Sequence, residues 1–89
     1  MTQQLLSWDA HAGSWQPIAN EQPIPARNAQ VACDVPVEVT ARVEWATDGV
    51  QLVETVVWAW SGRTVLVELH DTRRQTIGVW LPAGDVRRR

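Results

Sequence analysis

The sequence predicts an all-β fold, a small antiparallel meander that coils toward a closed barrel. Three observations carry that expectation. Val35, Val37, Val39, Ala41, Val43 and Trp45 alternate without a fault against Pro36, Glu38, Thr40, Arg42 and Glu44, which is the period of two of a half-buried strand. Turn chemistry recurs between the apolar runs, at Thr47-Asp48-Gly49 and at Ser61-Gly62-Arg63. The connections are also far too short for the crossovers of a dozen or more residues that parallel strands require.

The elements follow in order. Val35 to Trp45 is the first long strand, and the chain reverses at Thr47-Asp48-Gly49. Val50 to Trp60 is the second strand, but its phase slips: Val50, Leu52, Val56, Trp58 and Trp60 share a face on which Glu54 intervenes. A bulge near Val53 to Thr55 would resolve that conflict. Thr64 to His70 is the third strand, with Val65, Val67 and Leu69 on one face. Asp71 to Gln75 is a polar loop, and Thr76 to Leu81 is the fourth strand, with Ile77, Val79 and Leu81 on one face until Pro82 stops it. Strands this long in a small twisted sheet favour coiling toward closure.

Residues 1 to 34 differ in character. Pro17, Pro23 and Pro25 interrupt regular structure, and Gln, Ala and Asn are frequent. They read as an N-terminal arm, with a hairpin or an ordered coil at 5 to 18 and an extended or linker segment over 19 to 34; residues 35 to 89 form the barrel domain.

Gly78-Val79-Trp80-Leu81-Pro82-Ala83-Gly84-Asp85-Val86 resembles the end of SH3-like and Tudor-like barrels, in which a penultimate strand runs into a proline-containing single turn and a short last strand. The resemblance implies closure into an SH3-like/Tudor-like barrel. That superfold hosts many unrelated functions, so it implies no particular activity.

Six tryptophans with no Phe and no Tyr are the main compositional oddity. A domain this small cannot enclose all six indoles, each of which also needs a partner for its N–H. Trp45, Trp58 and Trp60 are the core candidates by face. Trp80 is out of phase with Ile77, Val79 and Leu81 and is expected to point to the opposite side, where it covers a turn or the arm or forms part of an aromatic surface.

Composition sets limits on function. A formal net charge of -2 argues against a protein whose main business is coating nucleic acid or anionic membrane. All the basic residues are arginine, and Cys33 is the single cysteine, so no internal disulfide forms. No apolar run approaches the roughly 18 residues of a spanning helix. A cytoplasmic location without membrane passage is the expectation.

No catalytic, cofactor or metal site is expected. His70 and Asp71 are adjacent on a strand and point apart, and the carboxylate of Asp34 works against a nucleophilic Cys33. His11, Cys33 and His70 lack the close pairing of zinc ligands, and no phosphate-cradling glycine loop is present.

The function expected is therefore that of a non-enzymatic module that binds another protein, or a second copy of itself as a homodimer, through exposed Trp and Arg. The candidate partner-binding residues are Trp8, Trp15, Trp80, Arg73, Arg74, Arg87 and Arg88. The alternative is nucleic-acid binding through Arg73, Arg74, Arg87, Arg88 and Arg89 with tryptophan stacking.

Overall fold

The computed structural model describes residues 15–89. Five antiparallel strands form one sheet: β1 (Val31–Trp45), β2 (Gly49–Ser61), β3 (Thr64–Glu68), β4 (Gly78–Pro82) and β5 (Val86–Arg88), in the spatial order β4-β3-β2-β1-β5. The first four make the meander that the short turns dictate. β5 returns along β1 after a single 3-10 turn at Ala83–Asp85, which follows Pro82 directly. The fold is all-β, the described residues holding two short 3-10 turns and no α-helix. The sheet itself is not closed: β4 and β5 are its two edges.

The alternation in β1 decides the core. Val39, Ala41, Val43 and Trp45 are all buried, and Val37 packs against them. Val67 from β3 and Leu69 just after it, Val79 and Leu81 from β4, and Val57 from β2 join the cluster. Leu81, Val43, Val67 and Val79 are wholly enclosed, and each such side chain contributes about 1.5–3 kcal/mol. Gly49 and Gly62 carry the positive φ values, 84° and 56°, at the two turns that the sequence marks, a conformation in which a Cβ is disfavoured.

Three sequence expectations are corrected. β2 has no bulge near Val53 to Thr55, because its register with β1 runs unbroken from Val37↔Val57 to Trp45↔Gly49. The face that carries Glu54 is simply the outer face, and Val50 and Leu52 are exposed on it. The bulge sits further on: β2 advances from Val57 to Ala59 while β3 steps only from Val67 to Leu66, leaving Trp58 as the extra residue. Trp58 and Trp60 are consequently 45% and 43% exposed and are not core. On β4 the strand begins at Gly78, and Ile77 is exposed.

The arm belongs to the fold. From Glu38 to Glu44 of β1, the even-numbered residues aim backbone groups away from β2, and these find partners on β5 and on the arm. Glu38 O accepts from the Arg89 N–H, and Thr40 lies opposite Arg87. Arg42 O accepts from Asn20 Nδ2 at 2.9 Å, and the Glu44 N–H donates to Asn20 Oδ1 at 3.0 Å. Glu44 O accepts from the Ala19 N–H, and the Ala46 N–H donates to Pro17 O. The edge is thus filled by β5 at one end and by residues 17–20 at the other, which is what backbone satisfaction demands of a buried strand. The Gln22 N–H then reaches Trp80 O on β4, so the arm crosses between the two edges of the sheet. Ile18, 4% exposed, plugs the core between them. β1 begins at Val31, so the stretch from Val31 to Asp34 belongs to the sheet and not to a linker.

A candidate partner-binding cleft

The bulge at Trp58 has a positional consequence. Beyond it Ala59 lies opposite Leu66, and Leu66 opposite Trp80, which forms one cross-strand row on the outer face. Trp60 lies opposite Val65, and Val65 opposite Leu81, a row on the core face. The indole of Trp60 is therefore delivered to the core side of the sheet, at the end that the meander leaves uncovered.

There it rims a cleft of about 300 Å³ lined by Cys33, Val37, Val39, Val57, Trp60, Val65, Ala83, Val86 and Arg88. All but Arg88 are apolar or weakly polar. A concave, largely apolar surface with a single charged group at its margin suits recognition of another molecule. A second recess of about 570 Å³ lies against the outer side of β5, bounded by Thr40, Arg42, Leu52 and Ala83–Arg88. β5 thus has a recess on each side.

The candidate residues read from the sequence separate into groups. Trp80 points away from Val79 and Leu81 as its phase predicts, but it is only 5% exposed. The row with Leu66 and Ala59, together with the arm at Gln22, takes it out of reach of a partner. It supplies no aromatic surface. Trp8 lies outside the described residues. Trp15 is half-buried in a shallow recess with Gln16, Pro17 and the Arg73–Thr76 loop.

Arg73 and Arg74 are held inside the molecule. Arg73 lies over the Trp45 ring, 4.0 Å from its centroid. It donates to both oxygens of Asp71 at 2.8 and 2.7 Å, to Asp48 at 3.1 Å and to Gln51 at 2.7 Å. The guanidinium holds the Asp71 carboxyl below its usual range, chiefly by its side-chain hydrogen bonds, and is itself held more firmly protonated. Arg74 clamps Glu21 of the arm with bonds of 3.1 and 2.7 Å and donates to Gly78 O. Its Nε is buried with no partner among the described residues. Neither charge is presented outward as a free cation.

Arg87 and Arg88 remain available. Both are exposed, and neither makes an ion pair among the described residues. Arg89 differs from them: it bonds Val39 O and Thr55 O and approaches Glu38 and Glu54 at 3.5 Å.

Beside the bulge, the Trp58 indole N–H donates to Glu68 at 2.8 Å, and the other Glu68 oxygen faces His70 Nε2 at 3.0 Å. These contacts, Trp58 first, lower the Glu68 pKa. This exposed chain of contacts orients Trp58 against β3, leaving Trp60 as the aromatic group at the cleft. Among the described residues no cluster of His, Cys, Asp and Glu could hold a metal ion, and no helix is long and apolar enough to cross a membrane.

The sequence reading missed Trp60, Val57, Val65 and Val86 as site residues. The signal that could have found Trp60 was the phase conflict in β2, since a bulge placed after Val57 moves it across the sheet. Comparison with known proteins finds no matching family model, no matching curated protein and no matching solved structure.

Proposed function

We propose that this chain is a non-enzymatic protein-interaction module, a small barrel of SH3-like or Tudor-like type, that binds a partner protein at the Trp60 cleft. The observation that carries the reading is Trp60 itself, 43% exposed at the margin of an apolar recess beside the unpaired Arg88. Trp and Arg are the residues most enriched at interaction hot spots, and leaving an indole in water forgoes the burial that a small core needs. Support for the barrel type comes from the order β4-β3-β2-β1-β5, the single 3-10 turn after Pro82 and the arm that spans the open side.

The test is affinity capture with the wild-type chain, Trp60→Ala and Trp58→Ala, with mass spectrometry of what is retained. A partner held by the wild type and by Trp58→Ala, and lost with Trp60→Ala at unchanged thermal stability, supports the reading. Capture indifferent to Trp60→Ala ends it. Nucleic-acid binding has less support, because Arg73, Arg74 and Arg89 are engaged in internal ion pairs. Affinity for single strands that falls steeply with salt would revive it.

A further inference from the structure

β5 is a sheet edge, and its hydrogen-bonding pattern shows which groups it offers. The Arg89 N–H donates to Glu38 O, and these residues lie opposite each other, so Arg87 and Thr40, two positions away, form the next hydrogen-bonded pair. Val86 and Arg88 alternate with them and aim their backbone groups outward. The Val86 N–H is already used by Ala83 O in the 3-10 turn. What remains is the Val86 carbonyl together with the N–H and carbonyl of Arg88, an unpaired edge of the kind that folded proteins blunt or use.

The two recesses lie on either side of this edge. A strand laid along β5 would send alternate side chains to the core face, beside Val86 and Trp60, and to the outer face, beside Arg87. The core-face recess is apolar apart from Arg88 at its margin, and the outer-face one is lined by Arg42 and Arg87 together with Asp85, which lies 3.8 Å from Arg42. Arg42 is already paired with Glu44 at 2.6 Å, whereas Arg87 and Arg88 have no carboxylate among the described residues. A second copy of the same edge would set arginine against arginine, and like charges directly opposite are destabilising.

We propose that β5 receives an extended segment of a partner protein by strand addition, a segment alternating apolar and acidic residues. The apolar side chains fill the Trp60 cleft, with Arg88 at its margin, and the carboxylates on the other face pair with Arg87. Main-chain hydrogen bonds give the affinity and the two recesses give the sequence preference. This inference rests on the interaction reading above and names the chemistry of the partner.

The probe is a short capped peptide alternating glutamate and valine, followed by tryptophan fluorescence and by the amide resonance of Arg88. Controls are a peptide of the same composition with its glutamates and valines in separate blocks, one N-methylated at alternate amides, and an alternating lysine–valine peptide. The alternating acidic peptide is expected to bind with a dissociation constant below about 1 mM, and the controls at least about tenfold more weakly, by one tenfold step of affinity. Arg87→Glu should reverse the preference between acidic and basic peptides. Arg88→Pro removes an outward N–H that the β1 ladder does not use, so binding should fall while thermal stability holds. If Arg88→Pro does not fold, the N-methylated peptide tests the same bond from the other side.

Equal binding of the blocked and N-methylated peptides overturns the proposal, as does no binding up to the stated concentration. Dimerisation in the ultracentrifuge that Arg88→Pro abolishes overturns it too, since the occupant is then a second copy. If the peptides fail while Trp60-dependent capture persists, strand addition falls and the interaction module stands.

Discussion

Replacing Arg73 with alanine is expected to destabilise the fold by about 2 kcal/mol, and the structure shows where that comes from. The guanidinium caps the Trp45 ring at 4.0 Å, and Trp45 is a core residue only 2% exposed. A partly desolvated cation–π contact of this kind contributes about 1 kcal/mol. The forked pair with Asp71 and the bonds to Asp48 and Gln51 add about 1 kcal/mol more, discounted because the Arg73 side chain is still 22% exposed. For a domain of this size each kcal/mol moves the midpoint by about 4–8 °C, so the melting temperature should drop by roughly 8–16 °C. Thermal unfolding followed by tryptophan fluorescence and circular dichroism measures this directly. Arg73→Lys should fall between the two, since lysine keeps a cation near the ring and loses the planar fork. A double-mutant cycle with Trp45→Phe isolates the ring contact, with an expected coupling of about 0.5–1 kcal/mol. If Arg73→Ala costs less than about 0.5 kcal/mol it behaves as an ordinary surface substitution, and the account of Arg73 as the tie between the Asp71–Gln75 loop and the core is refuted.

Three further outcomes are expected. Asn20→Ala removes the bonds to Arg42 O, Asp85 and the Glu44 N–H and should cost about 1–3 kcal/mol, with faster hydrogen exchange at the Glu44 amide as the local readout. Leu81→Ala empties a fully enclosed site and should cost about 2–5 kcal/mol, seen as a lower urea midpoint at unchanged slope. The Asp71 carboxyl is held below its ordinary 3.8 in the folded state, so its contribution is complete above that pH and is lost as pH falls through the folded value. Asp71→Asn should therefore flatten the acid limb of the stability profile below about pH 4, and an unchanged limb would count against the Arg73 pairing.

How much of this was legible in the sequence depends on which forces were local. From Val37 to Trp45 the β1 core face was read residue by residue, because one face buried against a sheet leaves a period-two signature; Val35, read onto the same face, is 72% exposed, since the register with β2 breaks between Ala32 and Val37. Gly49 and Gly62 announced their turns for the same reason, since positive φ is a local requirement. The β2 pattern defeated the reading. A phase conflict shows that a strand crosses faces but not where, and the position of the bulge is set by pairing with β3, which the β2 sequence alone does not contain. Placing it at Val53 to Thr55 and not at Trp58 put Trp60 in the core and hid the cleft. Trp80 failed differently: its direction was right, and its burial depends on Leu66, Ala59 and an arm that contributes no periodic signal of its own. The proline-interrupted arm looked like a linker because its order comes from the β1 edge, whose even-numbered backbone groups need partners.

The arginines show how a chain with so small a core divides its charges. Arg73 ties the Asp71–Gln75 loop to Trp45, Arg74 ties that loop to Glu21 of the arm, and Arg89 ties the end of β5 to Thr55 and Glu54 of β2. Each joins segments that the strand ladder does not connect. Exposed ion pairs contribute only about 0–1 kcal/mol each, so their effect lies more in fixing where those segments sit than in raw stability. Arg87 and Arg88, the last two residues of β5 before Arg89, join nothing among the described residues. In the strand addition proposed above, a strand edge with open backbone groups and unpaired cations would disfavour pairing with its own copy by like-charge repulsion and favour an acidic strand, so the same residues would both guard the edge and select what adds to it.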